Sequence, residues 1–281
     1  MERADDIAAR AARWPRSYLF VPGDRPERFA RAFTSGADAV VIDLEDAVAS
    51  TQKAVAREHA ARWLAAGAPT YVRINAADSI WFDDDLALCG ASGLAGILLP
   101  KAERTTDLAI VAQACSSAAR IVPIIESAQG FSRIDALAIT DGVSRLAFGA
   151  LDLGLDLDIE GEHEELAYFR SRLVLASRLA RLPAPIDGVT VAVNDDAQLA
   201  QDTARARRFG FSARLCIHPR QIVGVHAGLA PTAAQLDWAR RVVAAAEHAD
   251  DATFALDGRM IDRPVILRAQ ALLARIDPDM P

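Results

Sequence analysis

Short apolar runs alternate with helical stretches along most of the chain. After a mobile or helical lead, RSYLFVPGD (16–24) predicts a strand closed by Pro-Gly, and RPERFARAFTSG (25–36) a helix with Pro26 in its first turn and Gly36 at its end. ADAVVIDLED (37–46) predicts a second strand, and 51–67 a helix whose apolar positions recur near 3.6 residues. Strands follow in TYVRIN (70–75) and LAGILLPK (94–101), with helices around 82–88 and over 106–119. The stretch 121–153, IVPIIESAQGFSRIDALAITDGVSRLAFGALDL, reads as strand, loop, helix, strand, loop. A helix over 165–182, a strand in APIDGVT (184–190), a helix over 196–210 and a strand in ARLCIHP (213–219) complete the series.

These runs lack the strict alternation of a half-wet sheet, as parallel strands buried on both faces should. Eight such strands with helices between them predict an α/β fold, a (β/α)8 TIM barrel, which commonly needs about 250 residues. The rival, a doubly wound open sheet, loses its usual support because no G-x-G-x-x-G or G-x-x-x-x-G-K-S/T fingerprint occurs. Beyond about residue 220 the rhythm stops: two helical segments, a loop over 254–264 and a last helix predict a C-terminal helical extension. The expected division is a catalytic barrel over 1–220 and an extension over 221–281, which would cap the barrel or reach a neighbouring subunit.

Composition narrows the setting. Apolar residues make up 52% and aromatics only 6%, so the core is aliphatic. The net charge of −7, with basic residues scattered along helices, argues against a nucleic-acid surface. Cys89, Cys115 and Cys216 show no C-x-x-C spacing, which speaks against a disulfide framework or thiolate zinc site and suits the cytoplasm. The N-terminus lacks the apolar core of a signal peptide, and no run approaches the ~18 apolar residues of a membrane span.

Barrel chemistry sits at the C-terminal strand ends. There the sequence offers Arg25 and Arg28; Asp43, Glu45 and Asp46; Arg73 and Asn75; Lys101 and Glu103; then Glu126, Asp152, Asp187 and His218. Glu126 and Asp152, ending the fifth and sixth strands, would meet at one rim and hold a hard divalent cation, magnesium rather than zinc because no His or Cys cluster accompanies them. Taken singly, each also reads as an ordinary loop carboxylate. Arg73 inside YVRIN needs an anion, either a substrate carboxylate or a structural partner such as Glu45. Lys101 reads as a strand end more readily than as a Schiff-base amine, and His218 as a packed histidine.

The ordered blocks RSYLFVPGDRPERF, DAVVIDLEDAV, YVRIN, GILLPKAE, PIIESAQG, LAFGALDL, LCIHPRQI and GRMIDRPV resemble the citrate lyase β-subunit-like CoA-ester lyases of the HpcH/HpaI aldolase family, a group that also holds malyl-CoA and citramalyl-CoA lyases. The resemblance implies Mg2+ on Glu126 and Asp152, with Glu45 and Asp46 holding metal-bound waters. It implies that Arg73 contacts substrate oxygens and that the amides of Ala150, Leu151 and Asp152 hold a 2-oxo acid carboxylate. Arg25 and Arg28 match a contact for CoA phosphates, and Asp262 matches a catalytic aspartate supplied by a neighbouring subunit of a homotrimer or hexamer. The implied reaction is cleavage of a malyl-, citramalyl- or citryl-thioester, carried by CoA or an acyl-carrier protein. Two other readings stay open: a class II aldolase releasing pyruvate without a thioester, and a non-catalytic subunit of a citrate lyase-like complex.

Overall fold

The structure is a computed structural model and describes residues 14–115, 119–161, 163–248 and 253–274. The N-terminal lead, with the signal-peptide reading that rests on it, lies outside the described residues, as do 116–118 of the predicted helix 106–119. The described residues form two compact units, Pro15–Leu229 and the stretch from Ala230 onward, to which Trp14 also belongs.

In the first unit the apolar runs become β1 (Ser17–Pro22), β2 (Ala39–Asp43), β3 (Thr70–Arg73), β4 (Leu94–Leu99), β5 (Arg120–Ile125), β6 (Ala147–Phe148), β7 (Ile186–Asp187) and β8 (Ala213–Cys216). They close in chain order into one parallel barrel, β8 pairing back onto β1. Around them lie α1 (Phe29–Phe33), α2 (Lys53–Ala65), α3 (Phe82–Asp85), α4 (Thr105–Ala114), α5 (Ala128–Ser132), α6 (Ile134–Ala138), α7 (Ala150–Asp156), α8 (Ala167–Leu179), α9 (Asp196–Phe209) and α10 (Gln221–Leu229).

The period of two along each strand divides the apolar side chains between two cores. Tyr18, Val41, Tyr71, Leu98, Val122 and Ile124 belong to a cluster made of strand residues alone, which fills the barrel. Their neighbours Leu19, Ile42, Val72, Ile97 and Ile125 pack instead with helix residues such as Leu64, Leu108 and Leu173. Full burial of an aliphatic side chain of this size contributes about 1.5–3 kcal/mol, so both faces reward an apolar residue and the sequence alternation disappears. At the opposite end from the strand C-termini, fully buried Arg145 donates to Pro15 O at 2.7 Å, Ala184 O at 2.8 Å and Ser212 Oγ at 2.7 Å. One guanidinium thus ties the approaches to β1, β6, β7 and β8 through neutral acceptors.

The second unit holds α11 (Ala233–Glu247), opened by a Thr232/Gln235 capping box, and α12 (Arg263–Leu273), capped by Asp262. Ala239, Val242, Ile261, Ala269 and Leu273 form its core. Here the expected loop over 254–264 is corrected: Phe254–Leu256 (β9) and Arg259–Ile261 (β10) pair antiparallel. Asp257 and Gly258, both at positive φ (51° and 73°), make the two-residue turn that matches hairpin twist.

Candidate active site

The strand register brings the site together. Asp43 and Arg73 end adjacent strands and are register partners. Arg73 donates from Nε to Asp43 Oδ1 at 2.7 Å and from Nη2 to Asp43 Oδ2 at 2.6 Å, a bidentate pair, while its Nη1 lies 2.8 Å from Glu45 Oε2 and 3.4 Å from Asp46 Oδ2. The guanidinium stacks 4.8 Å from the Phe20 ring. Burial works against its charge, but Asp43, then Glu45 and Asp46, more than offset this and hold its pKa above the ordinary value. Arg73 is therefore a fixed cation at the rim, and the structural partner offered by the sequence, Glu45, is present beside Asp43.

Glu126 follows β5 and is buried, and its Oε1 accepts the backbone N–H of Lys101 at 2.7 Å. Lys101 aims that N–H from a left-handed conformation, φ 48°, which a lysine adopts rarely. Burial, with the nearby charge of Asp152, pushes the Glu126 carboxyl up to about 8, and burial pushes Glu45 up to about 7 against the pull of Arg73. Asp152 sits in the first turn of α7, where the sequence reading had a loop; the Leu/Asp alternation there hid a helical turn. In that first turn the N–H groups of Ala150, Leu151 and Asp152 have no intrahelical acceptor. Gly149 precedes them, and any Cβ at that position would overlap the Glu126 side chain.

Glu126 and Asp152 are hard oxygen ligands, the charge of Asp152 adding to the cost of ionising Glu126, and both oxygens of Glu45 are buried without a hydrogen-bond donor in good geometry. Among the described residues no cluster of three or more His, Cys, Asp or Glu forms a closed metal cage. One or two carboxylates with open positions suit Mg2+, which keeps several waters, and so the residues fit that ion.

Other candidates separate. Arg28 lines a groove of about 330 Å3 at the ends of β1 and β8 with Arg31, Phe20 and His218, while Arg25 caps the short 3-10 turn Pro26–Arg28 on the exposed surface. His218 is half-buried and accepts from the Arg220 amide at 3.2 Å. Asp187 does not face the rim: it turns to the helix layer, 3.3 Å from Arg170 Nε and 3.7 Å from Arg214 Nη1. Asn75 is taken up by Lys53 and Asp85, and Glu103 accepts from Ser127 Oγ at 2.7 Å. Lys101 Nζ is 3.3 Å from Glu45, which overcomes burial and raises its pKa, opposite to the need of a Schiff-base amine. Asp262 lies in the second unit, where its Oδ1 accepts from Val265 N at 3.3 Å.

A family model for HpcH/HpaI aldolase/citrate lyase matches residues 16–219. The chain belongs to this family. Among HpcH/HpaI relatives, the citrate lyase subunit beta-like protein of Deinococcus radiodurans is 37% identical over 277 residues, covering 92% of this chain and 96% of the relative. The (3S)-malyl-CoA thioesterase of Cereibacter sphaeroides is 30% identical, covering 93% and 94%. The crystal structure of CitE from Mycobacterium tuberculosis in complex with magnesium, acetoacetate and coenzyme A matches with TM-score 0.83 and 32% identity, over 94% of this chain and 98% of that one. The resemblance read from the ordered blocks and the closed barrel of the HpcH/HpaI fold therefore both hold.

Proposed function

We propose that this chain is a magnesium-dependent carbon–carbon lyase that cleaves a malyl-, citramalyl- or citryl-thioester to an acetyl thioester and a 2-oxo acid. The observation that carries the reading is the Glu126/Asp152 carboxylate pair on the same rim as an Arg73 locked by Asp43. Its relative CitE was crystallised with magnesium, acetoacetate and coenzyme A.

Bound by Glu126 and Asp152, magnesium supplies Lewis-acid polarisation of a substrate oxygen. Arg73 has five N–H donors; two go to Asp43 and Nη1 lies against Glu45 and Asp46, so the second Nη2 N–H stabilises negative charge as the acetyl thioester departs as an enolate. The first-turn amides of Ala150, Leu151 and Asp152 take the 2-oxo acid carboxylate. Glu45 and Asp46 hold water at the rim, and Arg25 and Arg28 take the phosphates of a CoA thioester. Asp262 of a neighbouring copy returns a proton to the acetyl carbon in cleavage and removes one in condensation, which makes a homotrimer or hexamer the working form. A cytoplasmic location goes with this reading, and no helix among the described residues is long and apolar enough to cross a membrane.

The test is turnover of the three thioesters by purified protein with Mg2+, beside Glu126→Ala and Asp152→Ala. A 2-oxo acid is expected from at least one thioester, with about a 100-fold or greater loss in each variant; activity untouched by both substitutions rejects the site. Cleavage of free 4-hydroxy-2-oxo acids alone makes the protein a class II aldolase. Release of thiol without 2-oxo acid makes it a thioester hydrolase, the activity in the name of the Cereibacter relative. Mixing Glu126→Ala with Asp262→Ala protein should restore partial activity once subunits exchange, and no restoration removes Asp262 from the trans role.

A further inference from the structure

Lys53 lies on the buried stripe of α2 with Ala56, Ala60 and Leu64, a place where a lysine is unusual. Its ammonium donates to Leu44 O at 2.7 Å, Glu45 O at 2.8 Å and Asn75 Oδ1 at 2.7 Å, so all three of its N–H groups are engaged. All three acceptors are neutral. Trp81 lays its ring 5.1 Å from the nitrogen. Asn75 is held from its far side, because Asp85 Oδ2 accepts both its backbone N–H at 2.9 Å and its Nδ2 at 2.7 Å. Asp85 Oδ1 in turn accepts from Arg57 Nε at 2.7 Å, and Arg57 stands one helical turn beyond Lys53 on the same helix.

The two carbonyls gripped by Lys53 belong to the peptide planes on either side of the Glu45 Cα. Fixing both planes fixes the direction of the Cα–Cβ bond, and with it the reach of the Glu45 carboxylate to Arg73 and Lys101. Asn75, two residues beyond Arg73, carries the same restraint to the end of β3. A buried ammonium is costly to desolvate, and packing alone would be served as well by an apolar side chain of the same length. What the charge adds is a three-way clamp, on two backbone oxygens and one side-chain amide oxygen, that an apolar group lacks.

We infer that Lys53 is a positioning residue, whose ammonium sets the Glu45 carboxylate against Arg73 and Lys101 by clamping the backbone around Glu45 and holding the Asn75 side-chain amide. The inference rests on the proposed lyase reading for its kinetic consequence, while the placement of Glu45 is observable without any turnover. Lys53→Met keeps the stem length and removes the clamp. Expected is a loss in kcat of about tenfold or more with KM for the thioester within about twofold, since substrate contacts remain. Because the effect passes through Glu45, adding Lys53→Met to Glu45→Gln should cost less than about twofold more. A crystal structure of Lys53→Met should show the Glu45 to Arg73 contact opened from its 2.8 Å. Full additivity of the two substitutions, or Glu45 unmoved in that crystal, overturns the inference. If Lys53→Met does not fold, Asn75→Ala removes one acceptor of the clamp and is read by the same two measurements. A wild-type protein without lyase activity rejects the functional reading alone, because the displacement of Glu45 still decides the role of Lys53.

Discussion

Asp43→Asn isolates what holds Arg73 in place. The Asp43 side chain is 1% exposed and that of Arg73 14%, so the pair lies where water cannot replace a lost partner. Breaking a buried ion pair by neutralising one side costs about 3–5 kcal/mol. Two features reduce that here: the asparagine oxygen still accepts one of the two hydrogen bonds, and Glu45 remains 2.8 Å from Nη1. A loss of about 2–3 kcal/mol follows, which for a chain of this size lowers Tm by roughly 5–10 °C. The loss should change little between low and high salt, because a buried pair is weakly screened. Catalysis should fall further than stability suggests, since displacement of a positioned group by about 1 Å can cost about 100-fold in rate. Calorimetric or circular-dichroism melts of metal-free protein read the first quantity, and thioester turnover well below Tm reads the second. A Tm within a degree or two of wild type, together with undiminished turnover, shows that Asp43 does not set Arg73.

Gly149→Ala should remove divalent-cation binding while leaving the barrel's circular dichroism intact, because the added Cβ overlaps the Glu126 side chain; cation affinity equal to wild type in a calorimetric titration contradicts this packing. Glu126 and Glu45 have folded values raised to about 8 and about 7 from 4.5, so between those limits the folded state binds more protons than the unfolded one. Stability of the metal-free protein therefore receives a contribution that falls as pH rises through that window, and Mg2+, which needs the ionised pair, should raise Tm more at pH 8 than at pH 6. An Mg2+ effect on Tm that is flat or reversed with pH opposes it. Arg145→Met should destabilise the barrel by about 1–3 kcal/mol, by taking the donor from Pro15 O and leaving Ala184 O and Ser212 Oγ only their mutual 3.3 Å bond, and urea unfolding measures it.

The strands were legible because a run buried on both faces stays apolar whichever way each side chain points. That same property hid which face a polar residue takes. Asp187 ends a two-residue strand, a place that reads as the rim, yet it faces Arg170 of α8 and Arg214 of the neighbouring β8. The places of Glu126 and Asp152 near strand ends were legible because each follows an apolar run directly. The backbone that orients Glu126 could not: nothing in GILLPKAE announces the left-handed Lys101. The hairpin over β9 and β10 did carry its sign, an Asp-Gly between FAL and RMI, which the loop reading passed over. Lys53 had a fainter one, since it shares the stripe of Ala56, Ala60 and Leu64, where helical periodicity calls for an apolar residue.

In the proposed chemistry Glu126 and Asp152 hold a divalent cation that also meets the 2-oxo acid. Manganese bound to the protein offers the direct reading, through the paramagnetic relaxation of 13C-labelled pyruvate or oxaloacetate in solution. Strong relaxation by wild-type protein, abolished in Glu126→Gln and in Asp152→Asn under the same metal and protein concentrations, is the expected outcome. Equal relaxation in wild type and both variants places the cation elsewhere and removes the basis of the proposed chemistry.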